Sequence, residues 1–235
     1  MTTTTQLMLP GQEAAAEGPN DLTNMFIMHH AFRRDLRAFT AAVAGTPAGD
    51  TVTWRRLRQR WELFGRFLHH HHTIEDTAIW PTLLDRVDAA GRATLEAMEA
   101  EHGEIDPLLT ACGDGFAALA RHGDEDVRAS LEVRMVAAAE RLHRHLAHEE
   151  RDALVLVQAH LTAAEWQVME DTSAKGQFGF RDTVAAVPWV MHDLPPHARR
   201  RLLDSAGAAL STMWRLTRRR FARREAAAFR YVTGR

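Results

Sequence analysis

The chain has 235 residues, of which 46% are hydrophobic and 26% charged, with a net charge of −2 at pH 7. This composition can build a large core and excludes a disordered chain, while the near-neutral charge gives no overall attraction to nucleic acid or to anionic membranes. The single cysteine, Cys112, excludes an internal disulfide framework and a cysteine-rich metal site.

Residues 1–20 contain neither the basic start nor the long apolar run of a signal peptide or membrane anchor. We therefore expect them to form a flexible tail that precedes the folded domain. A lone cysteine fits a reducing compartment, so the expected location is the cytoplasm, with no membrane partner.

The first predicted helix begins after capping residues at positions 20–23 and ends near Ala44, before a turn rich in glycine and proline. His29 shares a face with the apolar residues of this helix. His30 instead shares a side with Arg33 and Arg34, and we expect that side to meet water. One histidine of this helix is therefore predicted to point into the core.

The second predicted helix begins near residue 51 and is expected to end by Trp80, because Pro81 disfavours helical continuation. Spacings of three and four residues define its inward face, which comprises Leu57, Trp61, Phe64, Leu68, His71, Glu75 and Ala78. His71 and Glu75 lie one turn apart, so both can reach a single metal ion. Burial of this pair is costly unless something such as a metal compensates it.

The third and fourth predicted helices repeat this pattern. His102 lies on an otherwise apolar stripe over residues 95–119, and a fourth helix that ends near residue 161 turns His145 and Glu149 inward. The interval from His29 to His71 is 42 residues, and that from His102 to His145 is 43. The sequence therefore predicts an all-α protein in which two related hairpins form an antiparallel four-helix bundle over residues 21–161, with the polar groups at its centre.

Residues 162–235 are predicted to form a helical C-terminal extension. Thr162 and Glu165 form a capping box for a short helix, a second short helix follows, and a long helix or helix pair covers residues 198–232. This last stretch is rich in arginine, and Glu225 is the one acidic residue after position 205. Arginine-rich helices can follow phosphates, but no helix-turn-helix signature accompanies this one, so nucleic acid is not an expected partner.

Six residues on the four apolar stripes form a candidate metal site: His29, His71, Glu75, His102, His145 and Glu149. Nitrogen and oxygen ligands without thiolate favour iron or manganese over zinc, which prefers four-coordinate sites. If Glu75 and Glu149 each bridge, two ions fit, and each receives two imidazoles and two carboxylate oxygens. Open positions would then remain for water, hydroxide or dioxygen.

Three neighbouring residues are candidates for supporting roles around the site. Asp76 and Glu150 each follow a candidate ligand and can orient imidazoles, but solvent-exposed acids are the favoured interpretation of both. His72 is expected to lie off the face that carries the metal ligands, where it can hydrogen-bond a ligand, or it replaces His71 if the register shifts by one residue.

The motifs MHHAFRRDL at His29, HHTIED at His71 and Glu75, EHGEIDPLL at His102 and HLAHEE at His145 and Glu149 resemble those of the hemerythrin-like family. The resemblance covers roughly residues 20–161. It implies the HHE cation-binding fold, a four-helix bundle with a non-haem di-iron centre. By this resemblance, the six residues are iron ligands, Glu75 and Glu149 bridge, and an oxo or hydroxo group joins the two irons.

The sequence departs from oxygen-carrying hemerythrins in its third helix. Those proteins have His-x-x-x-His there, whereas this chain has His102 followed by Asp106. Asp106 is therefore either a further ligand or a solvent-facing carboxylate. The loss of an imidazole would expose both ions, which favours redox turnover or sensing over reversible carriage of oxygen.

Two functional hypotheses follow. In the first, the di-iron centre reacts with dioxygen, peroxide or nitric oxide, and the enzymatic version decomposes peroxide or scavenges oxidants. No tyrosine, cysteine or additional base marks a substrate pocket, so the reaction class stays open. In the second, the protein is a non-catalytic sensor or an iron-buffering module, and occupancy by iron or oxygen changes how residues 162–235 dock.

Overall fold

The computed structural model describes residues 3–176 and 179–233, most of which lie in helices. In chain order these are α1 (Thr23–Gly45), α2 (Thr51–Ile74), a π-helical turn (Glu75–Ile79), α3 (Trp80–Leu84), α4 (Ala89–Leu119), α5 (Glu125–His148), a second π-helical turn (Glu149–Ala153), α6 (Leu154–His160), α7 (Ala163–Gly176), α8 (Phe180–Met191) and α9 (Pro196–Ala228). Helices α1, α2, α4 and α5 pack as the antiparallel four-helix bundle, so the predicted fold class is confirmed. Among the described residues, no helix combines the length and apolarity needed to cross a bilayer.

Aspartates begin three of the four bundle helices. Asp50, Asp88 and Asp124 each accept a hydrogen bond from backbone N–H groups of the first turn that follows. The apolar faces of these helices then meet in two clusters along the bundle, one around Phe39 and Phe116 and the other around residues such as Met98. The layer of buried histidines and glutamates lies between these two clusters.

Two π-helical turns interrupt the second and fourth long helices at equivalent places, because each begins at a glutamate of the repeated motif. In the first turn, the Trp80 N–H donates to the carbonyl oxygen of Glu75, five residues earlier. The prediction that this helix ends by Trp80 is wrong, since helical structure continues to Leu84. Pro81 is tolerated because it lies in the first turn of the resumed α-helix, where its missing N–H needs no helical partner.

The N-terminal segment lies against the bundle, which differs from the expected flexible tail. Leu7 and Leu9 are buried, and the backbone N–H of Glu13 donates to Glu150 at 2.7 Å. His30 is buried as well, so the prediction that it meets water is wrong. The face that carries His30 is covered by residues near Pro10 and by the segment that follows α8.

A buried ionic cluster fastens the C-terminal helices to the bundle. Asp35 of α1 accepts hydrogen bonds from Arg60 Nη2 at 2.5 Å and from Trp189 Nε1 of α8 at 2.7 Å. Arg60 also donates from Nε to Glu225 of α9 at 2.6 Å, and Arg34 donates to Asp35. Gly207, with φ +75°, breaks α9 into two segments. Helices α8 and α9 are therefore held by charges that the bundle itself buries.

Candidate metal centre

The six predicted site residues meet in one layer of the bundle interior, and all are buried. With His72 they form two overlapping groups in which one potential ligand atom from each residue lies within 4.8 Å of the others. Group A consists of His29, His71, Glu75 and Glu149, and group B of His72, Glu75, His102 and His145. Glu75 belongs to both groups.

In group A, the two imidazoles approach each other and the two carboxylates. The Nε2 atoms of His29 and His71 are 3.2 Å apart. His29 Nε2 lies 3.1 Å from Glu149 Oε2, and His71 Nε2 lies 3.1 Å from Glu75 Oε1. Two ligand atoms that bind one ion at about 2.1 Å and at an angle near 90° are separated by about 3 Å, so these contacts have the spacing of a metal site.

Group B has the same kind of histidine pair with one additional imidazole. The Nε2 atoms of His102 and His145 are 3.2 Å apart, and the ring of His72 stacks on that of His102 at a centroid distance of 3.8 Å. Glu75 reaches this group through its other oxygen, since Oε2 lies 3.5 Å from His102 Nε2. Glu75 therefore spans the two groups.

The two glutamates have an unusual environment for buried charges. Glu75 and Glu149 are both 0% exposed, and none of their four carboxylate oxygens accepts a hydrogen bond of good geometry from the described residues. A buried carboxylate without a donor is strongly unfavourable unless a cation compensates it. Imidazole nitrogens and such oxygens are ligands that iron, manganese and zinc accept, so the residues present fit a metal centre.

Carboxylates outside the layer contact the second nitrogen of three of the imidazoles. Glu150 lies 2.8 Å from His29 Nδ1, Asp76 lies 2.9 Å from His102 Nδ1, and Glu101 lies 2.8 Å from His145 Nδ1. A histidine that donates Nδ1–H to a carboxylate presents an unprotonated Nε2 to a metal. Arg33 in turn donates twice to Glu150, at 2.6 and 2.9 Å.

The pKa values in the layer are strongly perturbed. Burial, followed by repulsion from Glu149, raises the pKa of Glu75 well above its usual value. Burial opposes ionisation of Glu149, but the adjacent His29 has the larger combined effect and lowers the pKa of Glu149. Burial also opposes protonation of His29, but the charge of Glu149 raises the pKa of His29 to about 9. Burial lowers the pKa of His71. A cation that binds here must therefore displace protons from Glu75 and His29.

The supporting residues differ in part from the sequence-based expectations. Asp76 and Glu150 both contact imidazole nitrogens, and Glu150 is buried rather than exposed. His72 lies inside group B, and the sequence analysis did not single out Glu101. Asp106 is exposed on α4 and belongs to neither group.

A cavity of about 440 Å³ adjoins group A. His71 of group A and the shared Glu75 form part of its wall, whereas the remaining residues of both groups do not line it. Residues of α1 complete the bundle side, and residues of α7, α8 and α9 form the opposite side. The two groups therefore differ in their access to this space.

Comparison with known proteins agrees with the geometry of the layer. The family model described as "Hemerythrin HHE cation binding domain" matches residues 20–157, more than half of the chain and the whole of the bundle that carries both groups. No curated protein and no solved structure matches the chain. On the strength of the family match, this chain belongs to the hemerythrin HHE cation-binding domain family.

Proposed function

We propose that the protein binds two iron ions, one at group A and one at group B, and that this pair reacts with or senses a small oxidant such as dioxygen, peroxide or nitric oxide. The observation that carries the proposal is the convergence of imidazole Nε2 atoms on two fully buried carboxylates, which accept no hydrogen bond of good geometry within the described part of the chain. A metal cation at each group compensates the carboxylates and also pairs the inward-facing imidazole nitrogens.

The proposed ligand sets are similar in size but differ in kind. Group A offers two imidazoles and two carboxylates, whereas group B offers three imidazoles and the carboxylate of Glu75. Four protein ligands leave up to two positions of an octahedral ion open to a small ligand, a geometry that suits iron or manganese better than zinc. Bound iron would supply ferrous–ferric redox chemistry.

The residues around the ligands support this function through the protons that they hold. Glu150, Asp76 and Glu101 keep a proton on Nδ1 of His29, His102 and His145, so each Nε2 lone pair faces inward. The apolar clusters border the layer on both sides along the bundle.

Metal quantitation on the purified full-length protein, combined with optical spectra before and after addition of peroxide, tests the proposal. We expect about two irons per chain, loss of the group A ion in His71→Ala, and loss of both ions in Glu75→Ala. The matched control is His69→Ala, an exposed histidine of the same run. A chain that binds one zinc and no iron would overturn it. Peroxide that disappears with release of one dioxygen per two peroxides would identify the enzymatic form.

A sensor is the second candidate function, and one observation favours it. The helices of the extension form a wall of the cavity beside His71 and Glu75, so a change at group A acts directly on their packing. We expect the rate of proteolysis within residues 162–235 to change with iron or oxygen if sensing is the role. Unchanged proteolysis together with stored, releasable iron would instead indicate buffering. The lone, buried Cys112 remains consistent with the proposed cytoplasmic location.

A further inference from the structure

The cavity beside group A is much larger than a small oxidant requires. Its volume of about 440 Å³ corresponds to about fifteen water molecules at roughly 30 Å³ each. Dioxygen, peroxide and nitric oxide each have two non-hydrogen atoms, so a narrow channel would serve them. The volume instead falls within the range of about 300–1,000 Å³ that is typical of pockets for organic ligands.

The wall of the cavity has the chemistry of a site for an apolar molecule. Methionines contribute much of it, including Met28 from α1, Met169 from α7 and Met191 from α8, and Val187 and Leu210 add branched side chains. Methionine is flexible and polarisable, which lets one site fit apolar ligands of different shape. Water in such a space finds few partners, so an apolar ligand that displaces it gains free energy.

The polar groups of the wall are few and lie where they can orient a ligand. Among the described lining residues these are Asn24 of α1, Glu170 of α7, and His71 and Glu75 of group A. Asn24 Nδ2 donates to Glu170 Oε1 at 3.1 Å, so the two side chains act as one hydrogen-bonding unit. Burial raises the pKa of Glu170 to about 7, which lets its carboxyl group both donate and accept near neutral pH.

The extension is what makes this space a cavity. Trp166 of α7 is buried and its Nε1 donates to the carbonyl oxygen of Asp21 at 3.0 Å, which fixes α7 over the start of α1. Trp189 of α8 is held by Asp35. Without these helices, the apolar side chains of α1 at this place would be an open surface of the bundle. The cavity is thus a built feature of the whole chain.

We propose that this cavity binds an uncharged apolar organic molecule, one or two rings or a chain of similar size, whose single hydroxyl, carbonyl or amide group pairs with Asn24 and Glu170. The apolar body of the ligand lies against the methionines, and part of it lies next to His71 and Glu75. That the ligand also lies beside a metal ion rests on the proposed function, whereas the binding itself does not. The ligand is then a candidate substrate or signal for group A.

Fluorescence titration of the iron-loaded full-length protein with 1-aminoanthracene, a neutral probe that emits strongly in apolar surroundings, tests the proposal. We expect saturable binding of one probe per chain, displaced by straight-chain alcohols with an affinity that rises with chain length. Alkyl sulfonates of equal length should displace it at least tenfold less well, because a sulfonate cannot be solvated there. Absence of saturable binding, or equal competition by the sulfonates, would overturn the proposal.

Two substitutions on neighbouring positions of α7 locate the probe. Met169→Trp fills the cavity, and we expect it to weaken probe binding more than tenfold; Val168→Trp, on the exposed face of the same helix, should change it less than twofold. If Met169→Trp fails to fold by circular dichroism, Ala186→Phe fills the cavity from α8. Equal probe affinity in the filled and control variants would contradict the assignment.

Metal content measured on the same samples separates this inference from the proposed function. Probe binding without iron would leave the cavity site intact and remove the role at group A. Two irons without probe binding would leave the metal centre intact and overturn the cavity site. Iron spectra that change on addition of 1-octanol to the wild type, but not to Met169→Trp, would support contact between the ligand and the ion of group A.

Discussion

Groups A and B contain nearly the same residue types, yet their surroundings differ. In group A, the ring of His71 packs against Phe32 at 5.2 Å, and the cavity lies beside it. In group B, the ring of His72 stacks on His102, and that of His102 meets His145 edge-on at 4.7 Å. Group A is bordered by the cavity, whereas group B contains a third imidazole.

The carboxylates that contact the two groups also differ in how deeply they are buried. Glu150, beside group A, is fully buried and is held by Arg33 and by the N–H of Glu13. Asp76, beside group B, has a side chain that is 30% exposed. The sequence repeat thus provides equivalent candidate ligands, and the segments outside the repeat give them unequal surroundings. The N-terminal segment and the extension both cover the side that carries group A.

Both groups share Glu75, so substitution of this residue is expected to affect both ions and to have the largest effect. We expect Glu75→Gln to weaken both ions by more than about 100-fold, beyond the roughly 10–100-fold that loss of a carboxylate outside the ligand set costs. An amide carries no negative charge and cannot bridge two cations. Metal content should fall from two ions towards none, whereas Glu99→Gln on the exposed face of α4 should leave it unchanged. Two ions retained at wild-type affinity would show that Glu75 does not bridge.

Loss of one histidine from each group separates the two sites. We expect His29→Ala to remove the ion of group A and His102→Ala that of group B, so each variant should retain one ion per chain by mass spectrometry of the metals. An imidazole that is replaced by a methyl group leaves a ligand position that water fills only weakly. Only His102→Ala should keep an iron spectrum that responds to 1-octanol. The reverse result would place the cavity at group B.

Part of this comparison could be predicted from the sequence. The residues at helical spacing on apolar stripes, among them His29, His102 and Glu149, do meet in one layer, because periodicity determines which face of a helix is buried. The matched intervals of 42 residues from His29 to His71 and of 43 residues from His102 to His145 also predict the two hairpins. These features depend on local patterns, which a single sequence contains.

Other features depend on neighbours that periodicity cannot identify. His72 is about 100° around the helix from His71, and both are buried because α2 lies beside two helices at once: His71 meets His29 of α1 and His72 meets His102 of α4. Glu101 precedes a core histidine and reaches across to His145. An acidic residue next to a core histidine was the signal that could have found it. The π-helical turns leave no signal that is visible in the residue types.

Acid is expected to weaken the attachment of the C-terminal extension to the bundle, because the charge of Asp35 contributes to that attachment. Burial opposes ionisation of Asp35, but Arg34 and Arg60 lower its pKa from 3.8 to about 2. Because the folded pKa is lower than the unfolded one, this stabilisation is complete above about pH 4 and is lost as the pH falls towards 2, in total on the order of 2 kcal/mol.

Urea unfolding of the wild type and of Asp35→Asn between pH 5 and pH 2 measures this contribution. We expect the difference between their free energies of unfolding to shrink by about 2 kcal/mol over that range. The exposed Asp114→Asn should give a difference that does not depend on pH. A constant difference for Asp35→Asn would mean that Asp35 does not hold the ionic cluster by its charge.

The smallest effect is expected at Asp76, which contacts only one ligand of group B. Both Asp76 oxygens lie near His102 Nδ1, at 2.9 and 3.1 Å, and Asp76→Asn keeps one acceptor but loses the charge that strengthens the Nε2 lone pair. We expect about tenfold weaker binding at group B, no change at group A, and little change in stability because the side chain is partly solvated. Competition with a chelator, with the exposed Asp85→Asn as control, measures it. Weakened binding at group A instead would mean that the two ions are coupled through Glu75, and that the unequal surroundings do not make them independent.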